Sequence, residues 1–129
     1  EIGSVLKARY TEHKDELLRA EICHNGFKTA LAEGYAYWGQ PVIISEFGGM
    51  AFDNNGSGWG YGNLVKSREE FVRRFDDITT AIKELPYVCG YCYTQVTDVQ
   101  QEVNGLMDEE RCFKVEPEVI REINERKVL

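Results

Sequence analysis

The strongest constraint on the fold is the run Pro41-Val42-Ile43-Ile44-Ser45-Glu46-Phe47-Gly48-Gly49, apolar until it ends in a carboxylate and two glycines. Three consecutive β-branched residues without polar alternation are the pattern of a parallel strand buried on both faces. Pro41 suits its first position, where no ladder hydrogen bond is lost. A glutamate ending such a strand sits at a buried edge, where an unpaired charge is costly or takes up a proton. Glu46 therefore calls for a partner, a capping duty or a chemical role.

The next segment, from Phe47 to Lys66, is a loop with six glycines and the aromatic residues Phe52, Trp59 and Tyr61. Loops of this length serve as lids, binding loops or linkers, and the aromatic content disfavours a linker. The glycine spacing matches neither a dinucleotide fingerprint nor a P-loop, which excludes nucleotide binding. Trp59 and Tyr61 have two readings: a platform that stacks on the apolar face of a sugar, or anchors for the loop itself.

Ser67-Arg68-Glu69-Glu70 is a capping box, and Phe71, Phe75, Ile78, Ile82 and Leu85 then recur at spacings of four and three. Pro86 ends this helix, and the aromatic run from Tyr87 to Thr94 reads as a strand. Strand, loop, helix and strand make a βαβ unit with a right-handed crossover, so the loops after Glu46 and Thr94 emerge at one edge. Ligands of parallel sheets collect at that edge. Glu46 there, followed by glycines that permit close approach, suits a nucleophile or general base; the competing reading pairs it with an arginine or makes it a turn cap.

Gln95 to Glu116 is polar and turn-like. Its cluster Asp98, Gln101, Glu102 and Asn104 either binds hydroxyls or satisfies its own backbone. Pro117 opens a last helix over residues 118–124. Upstream, residues 1–34 read as helix in pieces, with Val5, Leu6, Tyr10, Leu17, Leu18 and Ile22 at helical spacing, a break at Asn25-Gly26, and helix resuming through Phe27, Ala30 and Leu31. His13 and His24 read as surface or capping residues. Tyr35, Tyr37 and Trp38 form an aromatic connector into the strand.

The 129 residues, 43% hydrophobic, suit a single domain over 1–129. With 22 acidic against 15 basic residues the net charge is -7, which argues against nucleic acid and anionic membrane as partners. No apolar run approaches a membrane span, and no N-terminal signal is recognisable. The four cysteines read as free thiols of a cytoplasmic protein. Cys89 and Cys92 have metal-motif spacing, but on a strand residues three apart point to opposite faces, and no other cluster has metal-ligand spacing. No motif calls for a cofactor. The start at Glu1 reads as an excised piece of something longer.

The motif Gly39-Gln-Pro-Val-Ile-Ile-Ser-Glu46-Phe-Gly-Gly49 resembles the nucleophile segment of glycoside hydrolase family 2, which includes β-galactosidases, β-glucuronidases and β-mannosidases, at strand seven of its (β/α)8 barrel. Gly90-Tyr-Cys-Tyr-Thr-Gln-Val-Thr-Asp98 and Glu102-Val-Asn-Gly-Leu106 resemble strand eight and the loop behind it. The resemblance runs from about Gly39 to Asn124. It implies an α/β fold made of the last βαβ units of a TIM barrel, incomplete in this chain, and a retaining β-glycosidase in which Glu46 attacks the anomeric carbon. Trp59, Tyr93, Asp98 and Asn104 would then bind the carbohydrate substrate.

Two departures from the family pattern stand out. Strand eight ends in Tyr93-Thr94-Gln95 where many members have tryptophan, and Arg111-Cys112-Phe113-Lys114 replaces Arg-x-Pro-Lys. No strand here ends in the Asn-Glu pair that supplies the family's acid/base, and a whole barrel takes about 250 residues. The isolated chain is therefore expected not to turn over substrate and to self-associate through unpaired strand edges. The alternative is a non-catalytic carbohydrate-binding or interaction module.

Overall fold

A computed structural model of the chain describes residues 2–19, 28–52, 58–61 and 64–128. They form a small mixed α/β unit in which two parallel strands, β1 (Val42–Gly48) and β2 (Val88–Thr94), are joined through helix α3 (Arg68–Lys83). Helices α1 (Ile2–Glu12) and α2 (Lys14–Leu17) precede the strands, and α4 (Pro117–Glu125) closes the order. No described helix is long and apolar enough to cross a membrane.

Helix α3 follows its sequence signals closely. The Ser67 hydroxyl accepts from the Glu70 N–H at 3.1 Å, satisfying one of the first-turn donors. The Glu70 carboxylate reaches back to the Lys66 N–H at 3.0 Å, one residue before the N-cap that a capping box engages. Phe71, Phe75 and Ile82 are buried along one stripe, and Leu85 is buried just past the helix. They meet Met50, Phe52, Val65, Val115, Ile120 and Ile123, with Tyr93 packed against the cluster. The core thus lies between α3, α4 and the loops beyond the strands.

The Val42-Ile43-Ile44 run lies outside that core, and this corrects the expectation of a strand buried on both faces. Ile43 is 58% exposed, while Val42 and Ile44 are half-buried. The helices account for one side of the sheet only. Tyr93 packs on Phe71 and Phe75 of α3, and Tyr91 donates to the Asn124 side-chain oxygen of α4 at 3.0 Å. Gly90 and the exposed Cys92 alternate with those tyrosines and face the other way, alongside the Ile43 side chain. Burial depends on what lies opposite, and among the described residues no element covers that second face.

The N-terminal reading holds in part. Helices α1 and α2 form, but in α1 only Gly3 is buried, where its bare Cα lets the helix close on Asp77 and its N–H donate to the Asp77 carboxylate at 2.8 Å. Val5 points into solvent. Residues 28–31 are irregular rather than helical, so the helix does not resume through Ala30 and Leu31; the break at Asn25-Gly26, His24, Cys23 and Phe27 lie outside the described residues. His13 is exposed, 3.4 Å from the Glu16 carboxylate, and caps nothing with its side chain. Cys89, Cys92 and Cys112 are exposed free thiols.

Candidate functional site at the C-terminal ends of the strands

The two strands pair in parallel with an irregular register. Ile44 lies opposite Tyr91 and Phe47 opposite Tyr93, so Ser45 and Glu46 together face the single residue Cys92. One extra residue on β1 reverses the alternation of its side chains. Phe47 consequently turns to the helix side, where its ring meets Tyr91 and Tyr93 edge-on at 5.6 Å each. Glu46, its neighbour, is turned to the uncovered face. Its carboxylate is exposed and has no hydrogen-bond or ionic partner among the described residues. The buried strand edge expected around this carboxylate is thus absent, and so are an arginine partner and a capping role.

At the end of β1 the glycine pair supports close packing. The Gly49 N–H donates to the Thr94 carbonyl at 2.8 Å, extending the ladder past the strand. Gly48 and Gly49 have φ of 94° and 61°, the left-handed region that glycine adopts without a Cβ penalty. A Cβ at Gly48 would enter the Tyr93 ring, and one at Gly49 the Tyr61 ring. Both aromatic rings therefore lie directly on the backbone that follows Glu46.

The two long loops meet at this edge, as the βαβ reading expects. The Phe52 N–H donates to the Val103 carbonyl at 2.9 Å, the Trp59 N–H to the Gln101 carbonyl at 2.7 Å, and the Val103 N–H to the Trp59 carbonyl at 2.9 Å. A Cβ at Gly58 would strike the Val103 side chain, so the glycine there permits the approach. Trp59 is 52% exposed and crosses Tyr61 at 85° with 6.0 Å between ring centres. Both rings thus remain open to solvent while tied to the framework.

Tyr93 and Asn104 lie deeper. The Tyr93 hydroxyl donates to the Asn104 carbonyl at 3.1 Å. Burial pushes the Tyr93 phenol far above the ordinary tyrosine range; a hydrogen bond from the Met50 backbone opposes this, and the Asp98 charge adds to it. Asn104 is fully buried, and its side-chain N–H donates to the Glu102 carboxylate at 3.1 Å. The buried Asn104 Oδ1 and Gln95 Nε2 have no partner among the described residues.

Asp98 is engaged on both oxygens. Lys114 Nζ lies 2.9 Å from each, the Gly105 N–H donates to Oδ1 at 2.7 Å, and Lys114 also donates to the Val103 carbonyl at 2.8 Å. Its contribution to any sugar site therefore passes through the shape of the loop carrying Glu102 and Asn104. Lys114 carries no sign in the sequence of being the partner of Asp98, since no local pattern links opposite charges sixteen residues apart.

Glu46, Trp59, Tyr93, Asp98 and Asn104 thus share the C-terminal edge of the sheet, Glu46 on the uncovered face and Tyr93 on the helix side. An apolar groove of about 310 Å³ between Leu106, Phe113 and Ile120 contains none of these residues. Among the described residues no group of three or more metal-ligating side chains gathers at this edge or elsewhere. No family model matches the chain, and no curated protein matches it.

Proposed function

We propose that this chain is the last part of the catalytic barrel of a retaining β-glycosidase of the family 2 type, with Glu46 as its nucleophile. The observation that carries the reading is the register shift in β1, which turns an unpartnered carboxylate to the uncovered face of a parallel sheet at its C-terminal edge. All-parallel sheets are normally covered on both faces. In a closed barrel the uncovered face would become the interior, and Glu46 would stand at the mouth where barrel active sites lie.

In the chemistry that follows, a Glu46 carboxylate oxygen bonds to the anomeric carbon of the sugar. The glycosidic C–O bond breaks, its electron pair stays on the leaving oxygen, and that oxygen takes a proton from a second carboxyl group about 5 to 5.5 Å away. Water, deprotonated by the same second group, then releases the sugar and restores the carboxylate. The second group belongs to barrel strands outside these 129 residues, so the isolated chain does not complete the cycle.

Labelling with a 2-deoxy-2-fluoro glycosyl fluoride, carried out on the longer enzyme, tests the assignment. The expected label falls on the peptide containing Glu46, and a label on any other peptide rejects it. Hydrolysis of aryl β-glycosides by the 129-residue chain, abolished in Glu46→Gln, would contradict the missing proton donor. The exposed Trp59–Tyr61 pair favours one alternative, a carbohydrate-binding module without catalysis. Under that alternative the longer protein takes no label although it binds sugar, and that binding persists in Glu46→Ala.

A further inference from the structure

Trp59 and Glu102 are direct partners in a parallel bridge, set by the hydrogen bonds of the Trp59 N–H to Gln101 and of the Val103 N–H to Trp59. Bridge partners project their side chains on the same side, so an indole and a carboxylate stand next to each other. Neither is loosely held. The indole crosses Tyr61, whose own ring covers Gly49, and the Glu102 carboxylate accepts through Oε1 from the side chain of fully buried Asn104 at 3.1 Å. Oε2 of Glu102 has no donor among the described residues, and half of the Trp59 surface is open to solvent.

A pyranose ring presents apolar C–H groups on its faces and hydroxyls around its edge. An aromatic face suits the first and an ionised carboxylate, which only accepts hydrogen bonds, suits the second. A carboxylate also repels a sugar that carries its own carboxylate. We propose that Trp59 and Glu102 form a subsite for a neutral pyranose, the indole carrying the ring face and Glu102 accepting from hydroxyls on its edge. This assignment rests on the glycosidase reading and adds Glu102 as the residue that selects neutral sugars over uronic acids.

Titration of the 129-residue chain with methyl β-D-glucopyranoside, methyl β-D-galactopyranoside and methyl β-D-glucuronide, followed by the indole N–H signal of Trp59 in NMR spectra, tests it. A neutral glycoside is expected to shift that signal within a range of about 100 mM, and the glucuronide to bind about tenfold more weakly. Glu102→Gln keeps one oxygen to accept from Asn104, removes the charge and turns the Oε2 position from an acceptor into an NH2 donor. It is expected to weaken the neutral glycoside about tenfold and to bring neutral and acidic sugars level. Trp59→Ala, followed instead by the backbone amide signals of Gln101 to Asn104, should lose binding, with spectral dispersion confirming the fold.

Unchanged neutral-sugar affinity in Glu102→Gln, equal binding of the glucuronide by the parent chain, or no binding by the parent chain would each overturn the subsite. None of these outcomes alters fluorosugar labelling of the Glu46 peptide in the longer enzyme, so failure of the subsite and failure of the nucleophile assignment are read separately.

Discussion

Lys114 Nζ sits 2.9 Å from both carboxylate oxygens of Asp98, and the two side chains are 11% and 8% exposed. The ammonium also donates to the Val103 carbonyl and lies 5.8 Å from the centre of the Phe52 ring. The ion pair thereby closes the loop behind β2 on itself, and through Phe52 its ammonium reaches the loop behind β1. Breaking a buried pair leaves an uncompensated charge, whereas replacing both partners with apolar groups is often close to neutral.

Lys114→Met is accordingly expected to destabilise the fold by about 3 to 5 kcal/mol in urea titrations. Asp98→Asn, which keeps an acceptor for the Gly105 N–H, should cost less than Asp98→Leu. A cost for Lys114→Met below about 1 kcal/mol, the range of surface pairs, would show the bridge to be solvent-screened.

Tyr93 makes the fold sensitive to base. Its phenol titrates above the unfolded value of 10 because burial disfavours the phenolate. A folded pKa raised in this way stabilises the fold fully below pH 10, and the contribution is lost as pH rises above that value. Tyr93→Phe is expected to cost about 1 kcal/mol at neutral pH through the lost hydrogen bond to Asn104 and to flatten the decline above pH 10. Tyr87 and Tyr91, also raised by burial, should leave a smaller residual decline. An unchanged slope in Tyr93→Phe would assign the base sensitivity to other groups.

The start of α3 should respond to acid. The Lys66 N–H holds the Glu70 carboxyl below its ordinary value of 4.5, with Arg74 and Arg73 contributing. Glu69 is lowered by its own backbone N–H and the Ser67 hydroxyl. A depressed folded pKa gives stability that is present above 4.5 and lost as pH falls through the folded value. Melting temperatures from pH 6 down to 2 should fall less steeply in Glu70→Gln than in the parent. Ser67→Ala should cost about 1 kcal/mol at neutral pH, and no loss would mean that the cap is replaced by water.

Ile43 exposes an apolar side chain on the uncovered face, and β1 and β2 each have one side unpaired within the described sheet. Parallel edges of this kind template pairing with other chains. The chain alone is expected to sediment as oligomers at concentrations where Ile43→Lys shifts the distribution toward monomer. A monomeric parent chain with a cooperative melt would contradict this.

Much of the architecture was legible in the residues themselves because its causes are local. Ser67 and Glu70 mark the start of α3, Phe71, Phe75 and Ile82 mark its buried stripe, and Pro86 marks its end, all within a few residues of what they determine. The same holds for the start of α4 at Pro117 and for β2, whose β-branched and aromatic residues favour extended backbone. With a helix between two apolar strands, connection geometry brings both following loops to one edge, and the loop hydrogen bonds from Phe52 and Trp59 bear that out.

The site needed the tertiary structure, because its determinants are contacts between distant segments. Parity along Val42 to Gly48 gives no sign that Ser45 and Glu46 share one partner residue; the pairing with β2 decides which face receives the carboxylate. Whether Ile43 is buried depends on what lies across the sheet rather than on its own hydrophobicity. Asp98 meets Lys114 only because the loop behind β2 folds back on itself, and Trp59 meets Glu102 only because the two long loops pack against each other. Sequence by itself determined the two strands, α3 and α4, and put a carboxylate near the C-terminal end of β1; three-dimensional pairing decided where that carboxylate points and which side chains stand beside it, because register and burial are properties of neighbours in space.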